Sequence, residues 1–217
     1  MLNLPQTTEV NKIIPKNKFY EKADISNSLK ESFVNDIEKI VWANKLSPKT
    51  LNIAEGSTIK EIEVFHIKLK TSKFNVKILE AIDKSIPYYI LYVLECQGNY
   101  QLWLGYKEKR NNPEKQATIT RYFHSEWDKN PEISLIGNKL DSIYQGLLEQ
   151  LSDNRISIDS ETGIKEQVAK ATEIEKLEKQ IEKLTTKMCA EKQFNRQIEM
   201  KRQIKQLQQK IKDLNNG

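Results

Sequence analysis

The first regular pattern of hydrophobic positions along the chain begins after Ser26. Apolar residues then recur at steps of three and four: Leu29, Phe33, Ile37, Ile40 and Val41. This spacing is typical of one face of an amphipathic helix. Because a proline disfavours helical geometry in the residue before it, Pro48 predicts that the helix ends near Ser47.

The first 24 residues show no such pattern. Three lysines surround Pro15, and Phe19 and Tyr20 follow them. We predict that residues 1–24 form an extended basic arm that docks through its aromatic side chains.

The middle of the chain carries strand patterns. Residues 60–70 alternate between apolar and polar side chains over most of their length, and residues 88–96 form an almost unbroken apolar run. Such a run is typical of a central strand that is covered on both faces. The turn Gln97-Gly98-Asn99 leads into a hairpin partner at 100–109, and a shorter strand is predicted around Thr118–His124.

Two further helices are predicted, at residues 76–85 and 140–151, from apolar positions at helical spacing. The resulting order is helix, strand, helix, three strands, helix. It predicts an α+β domain over residues 25–152, with a mixed sheet of about four strands and flanking helices. Residues 153–163 are predicted to be a linker.

Residues 164–217 carry two apolar series with coiled-coil spacing. The first contains Ile174, Leu177, Ile181, Leu184 and Met188, and the second contains Met200, Ile204, Leu207, Ile211 and Leu214. Extending the first series by sevens reaches Asn195 and Arg202, so the two series are out of phase. One long helix with a stutter is one alternative. A turn near residues 189–194 is favoured, and it gives an antiparallel helical hairpin in which Phe194 fills the bend.

Composition agrees with a domain plus an appendage. Hydrophobic residues make up 38% of the chain and charged residues 30%, and the mean hydropathy is -0.66, which is low for one compact globule. The two cysteines form no CxxC motif, and the sequence shows neither a signal peptide nor an apolar stretch of about 20 residues. A cytoplasmic protein is therefore expected.

The sequence gives little support for catalysis. Neither His66 nor His124 has a partner at metal-ligand spacing, and no glycine-rich loop precedes a helix, so no metal or cofactor is predicted. One enzymatic alternative is a divergent Mg²⁺-dependent nuclease with Asp83, Glu95 and Lys107 at neighbouring strand ends. The explanation we prefer is that these are ordinary charges at strand ends.

Basic residues near strand ends suggest a second kind of site. If the strands align, a positive rim that contacts nucleic-acid phosphates would contain Lys68, Lys70, Lys107, Lys109, Arg110 and Arg121. Trp103 and Tyr106 could stack on bases beside it. Solvated charges around core aromatics are the simpler explanation.

Two resemblances add to this picture. The stretch from Phe194 to Leu207 resembles the second half of the helical-hairpin motif at the C-terminus of the bacterial excision-repair helicase, which pairs with a similar hairpin in its nuclease partner. Its apolar positions match Phe194, Ile198, Met200, Ile204 and Leu207.

The second resemblance covers most of the chain. It rests on five ordered segments: LPQTTEVNKIIPKNKFYEK, DIEKIVWANKLSPKTLNI, IDKSIPYYILYVL, RYFHSEW and EKQFNRQIE. Together they resemble a bacterial domain-of-unknown-function family, whose members are encoded beside helicases and DNA methyltransferases in clusters that resemble restriction or phage-defence systems. The resemblance implies no catalytic residues.

These observations lead to an expected function. We expect a non-catalytic accessory subunit of a DNA-targeting phage-defence or restriction-like complex, with additional contact to DNA. Its hairpin would dock a helicase or methyltransferase subunit, or a second copy of the chain. The residues expected to bind this partner are Leu177, Ile181, Leu184, Met188, Phe194, Ile198, Met200, Ile204, Leu207 and Ile211. The nuclease and a toxin–antitoxin component are the alternatives.

Overall fold

A computed structural model describes residues 2–20, 25–108, 118–152 and 164–216. Contacts divide the chain into two compact units, Met1–Asn154 and Arg155–Gly217. The predicted linker, residues 153–163, lies outside the described residues.

The first unit contains six strands and five α-helices within the described residues. The strands are β1 (Glu9–Ile13), β2 (Ile37–Leu46), β3 (Ile62–Leu69), β4 (Tyr89–Cys96), β5 (Asn99–Glu108) and β6 (Thr118–His124). The helices are α1 (Asn17–Tyr20), α2 (Asn27–Asp36), α3 (Pro48–Leu51), α4 (Lys77–Ser85) and α5 (Leu140–Leu151), and a short 3-10 helix, Gln6–Thr8, precedes β1.

All six strands form one sheet in the order in which they occur along the chain. Only β3 and β4 pair in parallel, joined by α4, and the other neighbours are antiparallel. The predicted α+β class and mixed sheet are confirmed. The predicted count of about four strands is wrong, because β1 and β2 were not recognised.

The structure corrects the long helix predicted up to Ser47. Helix α2 begins after Ser26, whose side chain accepts a hydrogen bond from the backbone of Leu29, and it ends at Asp36. The next ten residues form β2 instead, with buried side chains at every third position. The pairing of β2 with β3 is irregular at two places, between Ile37 and Lys39 and between Trp42 and Asn44, and a bulge shifts the alternation of a strand by one residue.

The N-terminal segment is an integral part of the sheet rather than an extended arm. Strand β1 pairs with β2, with an irregularity between Glu9 and Lys12, where Asn11 has a positive φ of 51°. The aromatic side chains do dock: Phe19 is buried and stacks on Phe33.

A hydrophobic core lies on one face of the sheet. Helices α1, α2 and α4 cover it, and its members include Phe33, Phe65, Ile82, Tyr92 and Leu94. Helix α5 packs on β5 and β6, and the hydroxyl of its Tyr144 donates a hydrogen bond to the Gly105 carbonyl. The predicted β4–β5 hairpin is also present, with positive φ at both turn residues, Gln97 and Gly98, as a tight hairpin turn requires.

The second unit consists of helices α6 (Ile164–Ala190) and α7 (Phe194–Asn216), which pack against each other. Only three residues connect them. Three extended residues span about 10 Å, whereas a helix the length of α7 measures roughly 35 Å. Helix α7 must therefore run back along α6, as a hairpin does.

Candidate functional site

The three residues of the nuclease hypothesis do not converge. Asp83 and Lys107 form a buried ion pair, with 3.1 Å between Oδ1 and Nζ. Glu95 lies opposite Tyr100 in the β4–β5 pairing, and Lys107 follows Tyr100 by seven residues, or about 23 Å of strand. A carboxylate at that distance cannot share a metal shell with Asp83, since metal–oxygen bonds measure about 2.0–2.6 Å.

Asp83 instead anchors a network in which every charge has a partner. Its Oδ2 accepts hydrogen bonds from the hydroxyls of Tyr92, at 2.8 Å, and Tyr122, at 2.7 Å. The ammonium of Lys107 also donates to the Tyr88 carbonyl and lies 5.2 Å from the centre of the Tyr89 ring. Burial raises the pKa of the Asp83 carboxyl, against the opposing effects of Lys107 and the two hydroxyls. This network ties α4 to β4, β5 and β6.

Glu95 has a different partner. Its carboxylate lies 2.7 Å from Nε2 of His66 on the neighbouring strand β3. Burial lowers the pKa of His66, although Glu95 opposes the shift. In the part of the chain that the structure describes, no group of three His, Cys, Asp or Glu residues is arranged to hold a metal ion.

The predicted basic rim is divided between the two ends of the sheet. Lys68 lies beside Glu95 in the β3–β4 pairing and forms an ion pair with Glu38. The side chain of Lys70, which follows β3, donates to the Val34 carbonyl.

The other members of the rim are elsewhere. Lys107 is buried, and Arg121, which pairs with Tyr106 at the far end of β5, lies over the ring of Phe123. Lys109 and Arg110 are outside the described residues. The described members therefore form no common surface for a phosphate backbone.

A buried carboxylate that sequence reasoning missed is Glu63. It is only 4% exposed and accepts a hydrogen bond of 2.7 Å from the Trp42 indole. Burial raises its pKa to about 7, although the Trp42 hydrogen bond opposes the shift. The signal available in the sequence was an acidic residue inside an apolar strand.

Most of the predicted partner-binding residues are buried or half-buried positions of α6 and α7, which pack against each other. Half-buried apolar side chains line both helices: Ile181, Leu184, Met188, Met200, Ile204, Leu207 and Ile211, while Leu177 is buried. Leu184 and Leu207 line one groove together with glutamines of both helices. These positions are largely used within the hairpin.

Phe194 and Ile198 are the exceptions. Their side chains are 71% and 52% exposed, so the expectation that Phe194 fills the bend is wrong. Residues four apart lie on the same helix face, and this face continues through further exposed residues at steps of three and four. We call it the outer stripe of α7, and it contains Phe194, Ile198, Lys201, Lys205, Gln208 and Lys212.

The connection between the helices fixes the start of this stripe. The Glu191 carboxylate accepts hydrogen bonds from the backbone amides of Lys192 and Gln193, at 2.8 and 3.0 Å. The Gln197 side chain donates to the Glu191 carbonyl at 2.7 Å. The two amide hydrogen bonds and nearby Arg196 lower the pKa of Glu191. The turn is therefore held by Glu191 and by Gln197 of α7, without the Phe194 side chain.

The architecture is that of an α+β domain followed by a helical hairpin. The family model described as "Domain of unknown function (DUF4391)" matches residues 2–211, and the chain belongs to this family. No curated protein and no solved structure matches the chain. Within the described residues, no helix is long and apolar enough to cross a membrane.

Proposed function

We propose that this chain is an accessory subunit that acts by binding another protein through the outer stripe of α7. The observation that carries the proposal is the exposure of Phe194 and Ile198, one helical turn apart. The half-buried apolar residues of α7 lie on another side of the helix, so the hairpin does not need these two side chains for its own packing. Aromatic and aliphatic anchors of this kind dominate the energetics of protein interfaces.

The sequence supplies the class of complex in this proposal. From the family resemblance, the partner is a helicase or DNA methyltransferase subunit of a restriction or phage-defence system, and the site of action is the cytoplasm. The six strand-end residues do not support DNA contact, because the described ones lie at opposite ends of the sheet.

The test is a pull-down with the full-length chain as bait and the products of the neighbouring genes as prey. The double variant Phe194→Ala/Ile198→Ala should lose capture of the partner. Each truncated anchor is expected to cost about 2 kcal/mol, or roughly thirtyfold in affinity.

A matched control removes two other exposed apolar side chains, Val34 and Ile136, which are 50% and 54% exposed in the first unit. The variant Val34→Ala/Ile136→Ala should capture the partner as the unmodified chain does. Equal capture by the unmodified chain and by both variants would refute docking through α7.

A further inference from the structure

The net positive charge of the chain is concentrated in the parts of α6 and α7 that flank their connection. Residues 183–205, which we call the hairpin tip, contain seven lysines and arginines and two glutamates. Their net charge of +5 equals that of the whole chain, so the remainder is neutral overall. The seven basic side chains are Lys183, Lys187, Lys192, Arg196, Lys201, Arg202 and Lys205, and all are exposed.

This charge is hardly compensated by the chain itself. In the described part of the protein, Arg196 has a carboxylate at ion-pair distance, Glu191 at 3.7 Å, and the other six have none. Such a concentration of like charge is unfavourable in the free protein and becomes favourable beside an anionic surface.

We infer that the hairpin tip binds an acidic amphipathic helix of a partner protein. This inference rests on the proposed function and specifies the chemistry of the partner. The stripe repeats at steps of three and four, which is the spacing that a second helix packed alongside would match. The partner helix would place apolar residues against Phe194 and Ile198, and carboxylates against Lys201 and Lys205.

Two other occupants fit the tip less well. A second copy of the chain would bring one +5 tip against another, so like charges would oppose the contact. A nucleic acid would neutralise the lysines, but its phosphates and sugars would leave Phe194 and Ile198 without an apolar counterpart. The combination of apolar anchors and cations on one face favours an acidic protein helix.

The experiment uses the full-length chain and a labelled helical peptide of about 21 residues, or three heptads. The peptide carries two leucines one turn apart, followed by glutamates on the same face. A control peptide has glutamine in place of each glutamate. Fluorescence anisotropy is measured at about 50 and 300 mM salt, which changes the screening of exposed charges.

We expect the glutamate peptide to bind at least about tenfold more tightly than the glutamine peptide at low salt, and the difference to shrink at high salt. Lys201→Glu/Lys205→Glu should abolish the preference. Lys84→Glu/Lys129→Glu, which reverses two exposed lysines in the first unit, should keep it. Circular dichroism of each variant confirms that the helices remain.

Three results would overturn the inference. The two peptides could bind equally, or neither could bind. In the third, duplex DNA displaces the glutamate peptide and binds the Phe194→Ala/Ile198→Ala variant with the same affinity as the unmodified chain. That result would make the tip a nucleic-acid surface. If the pull-down partner depends on Phe194 and Ile198 while both peptides bind equally, the proposed function stands and only the acidic character of the partner is wrong.

Discussion

Replacing Lys107 by methionine removes the ammonium group from the buried network around Asp83 and keeps most of the side-chain volume. The Asp83 carboxyl then retains the hydroxyls of Tyr92 and Tyr122 but loses its counterion. Both partners of this pair are almost fully buried, with side-chain exposures of 6% for Lys107 and 3% for Asp83. Solvent therefore cannot replace the missing charge.

The expected loss in the free energy of unfolding is about 3–5 kcal/mol, the usual result of breaking a buried ion pair by removing one partner. Asp83→Asn should be similarly costly, because it leaves the Lys107 ammonium buried with only the Tyr88 carbonyl and the Tyr89 ring. The double variant Asp83→Asn/Lys107→Met carries neither charge. Its loss should be smaller than the sum of the two single losses by about 2 kcal/mol or more.

Urea unfolding followed by tryptophan fluorescence measures these changes in the relevant unit, since all three tryptophans lie within residues 42–127. Lys68→Met is the matched control, because it breaks the Lys68–Glu38 pair, whose side chains are 44% and 50% exposed. It should leave the unfolding midpoint unchanged. Additive losses in the double variant, or a Lys107→Met midpoint equal to that of the unmodified chain, would refute the reasoning.

Three further predictions concern other parts of the first unit. Glu63→Gln should stabilise the chain at pH 8.5 by up to about 3 kcal/mol and change its stability little near pH 4. The pKa of Glu63 in the folded protein, about 7, lies above its ordinary value of 4.5. The stability contributed by the protonated carboxyl is therefore complete below pH 4.5 and is lost as the pH rises through 7. Urea unfolding at both pH values tests this, and an equal effect at the two would contradict it. Tyr122→Phe removes one hydroxyl donor from Asp83 and should lower the unfolding free energy by about 1–3 kcal/mol, whereas a change below the measurement error would show that the hydrogen bond is not needed. Gly98→Ala places a side chain at a φ of +78° in the β4–β5 turn and should cost about 1 kcal/mol; a thermal melt without a decrease in Tm would argue against the turn geometry.

Much of the first unit was accessible from local patterns. The apolar run at residues 88–96 and the turn after it gave the β4–β5 hairpin, because a central strand and a tight turn each leave a signature within a few residues. The phase break between the two heptad series likewise indicated the turn between α6 and α7. In each case the deciding interaction is local, so the sequence carries it directly.

Strands β1 and β2 could not be recognised in the same way. Strand β2 has a buried side chain at every third position and two irregularities in its pairing with β3. Over so short a segment, this spacing is indistinguishable from that of a helix. Strand β1 has one half-buried position among exposed ones, so it has no apolar face to detect. Its place in the sheet depends on pairing with a strand about 30 residues away.

The arrangement of the candidate-site residues could not be predicted from the sequence, for a related reason. The sequence singled out Asp83 and Lys107 as charges near strand ends, but their pairing depends on the register between β4 and β5 and on Tyr122, 39 residues from Asp83. The exposure of Phe194 was also beyond pattern analysis. Its spacing allowed either a filled bend or an outward position, and the structure shows the outward one.

The irregular first strand protects the edge of the sheet from pairing with another molecule. Strand β1 covers the outer side of the ten-residue β2, and its own outer side carries exposed charged residues at Glu9 and Lys12 and a kink at Asn11. Charges and bulges on an edge strand discourage pairing with another molecule. A chain lacking residues 1–16 would uncover the backbone amides and carbonyls of β2, and we expect it to aggregate through that edge even where the rest of the sheet remains folded.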